Sequence, residues 1–299
     1  MTDAWRAYRR PALPAGPVPF RPCILSPHDA GWLIEDVWPT LYFGAERLPE
    51  IRRKAGGLDW ARQALTLMRD EAELALARPP QLPVEPCGWR HDFFSRRTAA
   101  HLVHEPDRPG PFLDPTTGER EQDGAQRRAW ALLTHERTYR MMRSLAVLWR
   151  LTGDDRYAAW VADGLRQAAA YFAHAEFRRD GFLYYHALYD AGVVLLLACA
   201  CDLIGTSGAL DEDDEALVRR NIFEDRVPAL IEFLDRSGAH NIPCFAAAAV
   251  ARTGHLLDQS RWLERGLSGP AGLYAQLEHG LPAEGGEIDG FWGEGTTFY

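Results

Sequence analysis

From residue 125 onward the chain repeats one unit: a stretch with apolar residues at helical spacing, a short polar turn, an aromatic residue, and another such stretch. Between Arg128 and Arg150, Ala131, Leu132, His135, Tyr139, Met142, Leu145, Ala146 and Trp149 share one broad face, the pattern of an amphipathic helix. Leu151-Thr-Gly-Asp-Asp-Arg-Tyr157 then reads as a stop and a restart. Gly153 ends one helix, and Asp154 caps a second that runs to about Phe172. A third helix, around residues 186–204, is apolar nearly all round, as a buried helix is. The acids from Asp211 to Glu215 sit on the first turn of a fourth and complement its dipole. A fifth, rich in alanine, starts at Asn241, and Leu257-Asp-Gln-Ser-Arg-Trp262 repeats the turn logic of residues 151–157. Helices joined by turns this short run antiparallel to their neighbours, so the array is a stack of helical hairpins.

The remainder narrows the fold class. Residues 1–25 are an extended lead-in rich in Pro and Arg, and Ser26-Pro27 opens a helix towards Trp38. Leu48 to Leu76 has helical spacing with a break at Gly56-Gly57. Residues 79–124 are crowded with turn formers, among them Pro79-Pro80, Pro109-Gly110-Pro111 and Asp114-Pro115-Thr-Thr-Gly118. This predicts a long irregular excursion, of the kind that is functional when it occurs inside a compact domain. Strand signals are few, so the class is all-α. A closed α/α toroid and an open solenoid both fit. Irregular repeat lengths and the 79–124 insertion favour the toroid, here an incomplete (α/α) toroid of antiparallel hairpins. The expected organisation is 1–44 as an N-terminal extension with a first helix, and 45–299 as the toroid.

Charge and cysteines restrict the partners. A net charge of −9 argues against nucleic acid and an anionic membrane. The polar N-terminus lacks the apolar segment of a signal peptide, and no stretch reads as long enough to span a membrane. The cytoplasm is therefore the default location, with the periplasm or exterior if a leader has been removed. Cys23, Cys87, Cys199, Cys201 and Cys244 are odd in number and lack paired metal-ligand spacing, so neither a disulfide framework nor a zinc site is expected. No cofactor is expected either. Lys54 is the sole lysine among many arginines, whose planar forks suit carboxylates and sulfates.

The chemistry concentrates in 237–299. His240 and Asn241 open a helix just after Ser237-Gly238, where backbone N–H groups and the dipole favour an anion. Gly269-Pro-Ala-Gly272 starts a short helix ending at Glu278-His279-Gly280. A loop rich in glycine and acids follows and leads into Asp289-Gly-Phe-Trp-Gly-Glu-Gly295 and Tyr299. Singly, each has a plainer use: Asn241 as an N-cap, His240 as a capping histidine, Trp292 as a core aromatic, the glycines as turn punctuation. Together, aromatics and carboxylates on an irregular backbone are what a sugar cleft needs: ring faces pack on pyranoses while acids bind hydroxyls. Upstream, His135 and Tyr139 are one helical turn apart and share a face, either towards such a cleft or as a buried polar pair.

The run from Gly269 to Gly280, the Asp289–Gly295 segment and Tyr299 together resemble a signature of heparinase II/III-like polysaccharide lyases. So do Asn241-Ile-Pro-Cys-Phe-Ala-Ala-Ala-Ala-Val250 and Gly254-His-Leu-Leu257, and further back Trp130-Ala-Leu-Leu-Thr-His135 and Leu188-Tyr-Asp-Ala191. The resemblance covers roughly 45–299. It implies an N-terminal α/α toroid, normally followed by β-sandwich domains, that cleaves acidic polysaccharides or oligosaccharides by β-elimination. On that basis Asn241 matches the residue that neutralises the substrate carboxylate, and Tyr299 lies in the stretch supplying the catalytic Tyr. His135, Tyr139, His240, Asp289, Trp292 and Glu294 are the expected sugar contacts. Ile242 stands where many members carry His, and the motif stops at Tyr299, so the expectation is a helical domain cut before its β-sandwich, with little turnover alone. Two other readings stay open: a glycoside hydrolase using Asp289 and Glu294 as its carboxyl pair, and a non-catalytic carbohydrate-binding domain.

Overall fold

The computed structural model describes residues 45–238 and 241–280. The helix expected from Ser26-Pro27 lies outside the described residues, as does the 281–299 tail. Within them the chain is all-α apart from one short hairpin and isolated bridges. α1 (Leu48–Gly57) and α2 (Asp59–Leu76) are separated at Leu58, which is extended at φ −105°, ψ 131°. The irregular excursion follows and contains β1 (Phe112–Leu113) and β2 (Arg120–Glu121), antiparallel with Phe112 opposite Glu121.

α3 (Gly124–Thr152) begins at a reciprocal cap: Gln126 N donates to Asp123 Oδ1 at 2.7 Å, and Asp123 N donates to Gln126 Oε1 at 2.7 Å. It ends at Gly153, left-handed at φ 74°. α4 (Asp155–Phe172) restarts with Arg156 N donating to Asp154 Oδ1 at 3.1 Å. The stop and restart read from residues 151–157 are therefore the observed ones. α5 (Ala187–Ile204) is the apolar helix, and α6 (Glu212–Val218) is capped by Asp211, which accepts from Asp214 N at 2.9 Å. α6 widens into a π-type turn at Arg219–Glu224 before α7 (Val227–Arg236), so the predicted fourth helix is two. α8 (Asn241–Leu256), α9 (Ser260–Ser268) and α10 (Leu273–Gly280) complete the described chain.

α5 packs against both α3 and α8, and the three run in the same direction. Tyr184, ahead of α5, meets Tyr139 in mid-α3, whereas Thr206, just past α5, meets Arg150 at the end of α3. Arg252, late in α8, reaches Asp202, late in α5, at 3.4 Å. Phe233, shortly before the α7–α8 link, packs on Phe182, just ahead of α5, at 6.1 Å between ring centroids. The N-termini of α5 and α8 thus open at one end of the bundle. By length and composition α5 is apolar enough to cross a membrane, which corrects the sequence reading, but 72% of it is buried inside the protein, as a core helix is.

The excursion is a packed layer rather than a free loop. Thr138 Oγ1 donates to Gln81 O at 2.8 Å, Arg127 holds Glu85 at 2.6 Å, and Gly88 N donates to Arg128 O at 2.9 Å. Phe93, Phe112 and Trp130 bury a ring cluster beneath it. Segment 81–88 therefore lies along the N-terminal half of α3, and 89–92 is carried towards the start of α5.

Candidate functional site

The loop entering α5 is held from three sides. His186 N donates to Tyr184 O at 3.0 Å and closes a three-residue turn around Tyr185, whose φ is 77°. A tight turn with a bulky side chain in the left-handed region is strained and persists only where its surroundings enforce it. Asp190, from the first turn of α5, enforces it by accepting from Tyr184 N at 2.6 Å and Leu183 N at 3.2 Å. Its carboxyl is 2% exposed. Burial pushes it up to about 6, against the pull of the two amides, Arg226 and Arg178. Arg226, itself buried, lies 3.9 Å from Asp190 and donates to Gly181 O at 3.1 Å, tying the far side of the loop.

From beneath, the Tyr184 hydroxyl meets Tyr139 Oη at 2.6 Å and His135 Nδ1 at 3.0 Å, while His135 Nε2 lies 2.9 Å from Pro83 O. A carbonyl only accepts, so Nε2 carries the His135 proton and Nδ1 accepts from a tyrosine. Burial drives His135 down to about 4, so the ring is neutral. Tyr171 donates to Glu85 O at 3.0 Å and packs on His135 at 4.3 Å between centroids. His135 and Tyr139 are both fully buried. The one-turn spacing does place them together, but against protein: they support the Tyr184 turn and connect it to segment 81–88.

Above this foundation sits a part-exposed cluster. His186 caps α5, its Nδ1 accepting from Leu188 N at 3.1 Å, and its ring stacks on Tyr189 at 4.4 Å with 20° between planes. Burial lowers the His186 pKa. It also raises the Tyr189 phenol to about 12, with the Arg90 main chain and guanidinium opposing. Glu136, 8% exposed, lies 3.2 Å from Arg140 and 3.9 Å from Arg90. The Arg179 guanidinium sits 5.0 Å from the Tyr185 ring centroid. The result is aromatic faces, guanidinium groups and a neutral imidazole on one rim.

Asn241 is the first residue of α8 and is partly exposed, at the same end of the bundle as this rim. His240, Asp289, Trp292, Glu294 and Tyr299 lie outside the described residues. Among the described residues no group of three or more His, Cys, Asp or Glu side chains is arranged to hold a metal ion. The four described cysteines, Cys87, Cys199, Cys201 and Cys244, are free thiols. Sequence reasoning passed over Tyr185, His186 and Asp190 as site residues. The available signal was Tyr184-Tyr-His186 followed by a lone acid at the head of an apolar run.

No protein-family model matches the chain. Over 142 residues it is 28% identical to an alginate lyase of Stenotrophomonas maltophilia (strain K279a), a stretch covering 45% of this chain and 19% of that protein. The chain thus spans about a fifth of that relative's length, and the similarity supports a distant relationship to a polysaccharide lyase.

Proposed function

We propose that this chain is the helical part of a polysaccharide or oligosaccharide lyase that cleaves uronic-acid-containing glycans by β-elimination. The observation that carries the reading is the likeness to an alginate lyase, which makes alginate the first substrate to try. The motifs from Asn241 to Tyr299 add the heparinase II/III-like assignment. The parallel run of α3, α5 and α8, with antiparallel α9 returning against α8, is what an α/α toroid would require of its inner layer.

The reaction sets definite demands. The C5 proton of a uronate is weakly acidic, and removing it puts negative charge on the neighbouring carboxylate as an enolate forms. Hydrogen-bond donors aimed at that carboxylate lower the barrier. A base takes the C5 proton, the C4–O bond breaks, and an acid protonates the departing oxygen, leaving a C4–C5 double bond on one product. In this reading Asn241 neutralises the carboxylate, Tyr299 moves the protons, and His240, Asp289, Trp292 and Glu294 contact the sugar. His135 and Tyr139 act from below, through Tyr184.

The test is to incubate the protein with alginate, heparan sulfate and hyaluronan and follow the ultraviolet absorbance of the unsaturated uronate. Absorbance rising with alginate, and lost in Asn241→Ala, is the expected result. No unsaturated product from any polyuronate, with the protein in its natural full length, removes the reading.

A further inference from the structure

We propose that residues 27–38 lie as a helix along one flank of α2 and cover its exposed apolar stripe. The segment ahead of α1 is then a member of the helical array rather than an extension from it. This goes beyond the lyase reading and does not depend on it.

Among the described residues α2 is the edge of the helical layer. One flank meets α4, where Arg156 lies 3.1 Å from Glu73. The face bearing Ala61, Leu65, Met68 and Ala72 is turned inward. The flank away from α4 carries Trp60, Leu67 and Leu74, which are 67%, 65% and 75% exposed. Residues seven apart drift only about 20° around a helix, so these three form one line, about 21 Å long. Apolar side chains exposed singly need no partner, but a continuous line of large ones marks a contact surface. Its seven-residue period suits a second helix crossing at a shallow angle. Beside the line a groove of about 620 Å³ runs between α2 and α3, with Glu71 and Leu74 on one wall and Arg137, Arg140 and Met141 on the other.

The segment leading into α1 has the matching chemistry. Ala30, Leu33, Ile34 and Val37 recur at the i, i+3, i+4, i+7 spacing of one helix face. Asp29 and Asp36, also seven apart, flank that face, and Glu35 is a third acid. No Lys or Arg occurs from residue 22 to residue 45. The α3 wall answers with Arg137 and Arg140, one turn apart, of which Arg140 is shared with Glu136 at 3.2 Å.

The reach is also right. A helix from Pro27 to Trp38 is about 18 Å long, close to the length of the stripe. Pro39 would end it, and the link from Pro39 to Gly44 extends up to about 20 Å. The tether is close by: α1 is only about 15 Å long and passes directly into α2 through Leu58, next to Trp60.

The test uses the full chain with photoreactive benzoylphenylalanine in place of Leu67. Irradiation and peptide mapping should give a cross-link within one molecule to residues 27–38. A cross-link between two molecules, one to residues beyond 280, or none to 27–38 overturns the proposal. Hydrogen exchange of the Leu67→Asp/Leu74→Asp variant is a second measurement. Both side chains are exposed, so α3 and α5 should exchange as in wild type. The amides of 27–38 should exchange at least about tenfold faster in the variant, because a charge in the stripe expels an apolar helix face. Equal exchange of 27–38 in the two proteins overturns the proposal.

Discussion

Gly266→Ala should loosen the helix that carries Asn241. A Cβ on Gly266 of α9 would lie 2.4 Å from Ala251 N, 2.5 Å from Ala247 O and 2.8 Å from Ala251 Cα, all on α8. These are backbone atoms of a regular helix and cannot rotate aside. Ordinary contacts sit near 3.5–4.0 Å, so α8 and α9 must part locally by roughly 1 Å. Overpacking of this kind costs about 1–3 kcal/mol, and contact with two residues' backbone puts it near the top of that range. Alanine offsets about 1 kcal/mol through its better helix propensity. The net expectation is a loss of about 2 kcal/mol, read as a lower urea midpoint with an unchanged slope. Gly56→Ala is the control, because nothing lies within 4 Å of a Cβ there. It should gain up to about 1 kcal/mol from propensity alone. A Gly266→Ala protein as stable as wild type would refute the α8–α9 approach, and with it the placement of Asn241 relative to α9.

Two further outcomes follow from the polar interior. Tyr184→Phe should cost only about 1 kcal/mol in denaturant unfolding, because Tyr139 Oη already lies 3.3 Å from His135 Nδ1 and can take over the bond. A loss above about 3 kcal/mol would mean that the network cannot close without Tyr184. Asp114 accepts from Thr116 N and Thr98 Oγ1, each at 2.8 Å; burial raises its carboxyl, but these bonds and those from Ser95 and Thr117 outweigh it, bringing it from 3.8 to about 2. A depressed folded-state pKa gives stability that is complete above 3.8 and is lost as pH falls through about 2. Asp114→Asn should flatten that acid limb in urea midpoints measured against pH, and an unchanged limb would contradict the assignment.

Much of the architecture was legible because it is written in local chemistry. Gly153 and Asp154 terminate and restart a helix by rules that operate within one turn, and the structure obeys them. Asp211 caps α6 for the same reason. The site was harder to read. His135 and Tyr139 share a helical face whether that face meets a cleft or a covering segment, and spacing alone does not distinguish the two. The cover is segment 81–88, which begins shortly after α2 ends at Leu76 and docks onto α3 across the rest of the excursion, so its docking is a long-range event. More directly, the bond from His135 to Pro83 spans 52 residues. The turn at Tyr185 is likewise invisible, since nothing in Tyr-Tyr-His announces a left-handed tyrosine; only the buried Asp190 beneath it makes that backbone affordable. The single fourth helix expected after Asp211 became two because Pro228 has no N–H to continue one and sits instead in the first turn of α7.

The central claim is that glycan cleavage here is elimination rather than hydrolysis, and the most direct measurement is the oxygen balance of the reaction. Oligo-alginate digested in ¹⁸O-water and examined by mass spectrometry should give an unsaturated non-reducing end, with cleavage itself incorporating no solvent oxygen. Saturated products carrying one solvent oxygen per bond broken would contradict the account and point to the hydrolase alternative built on Asp289 and Glu294.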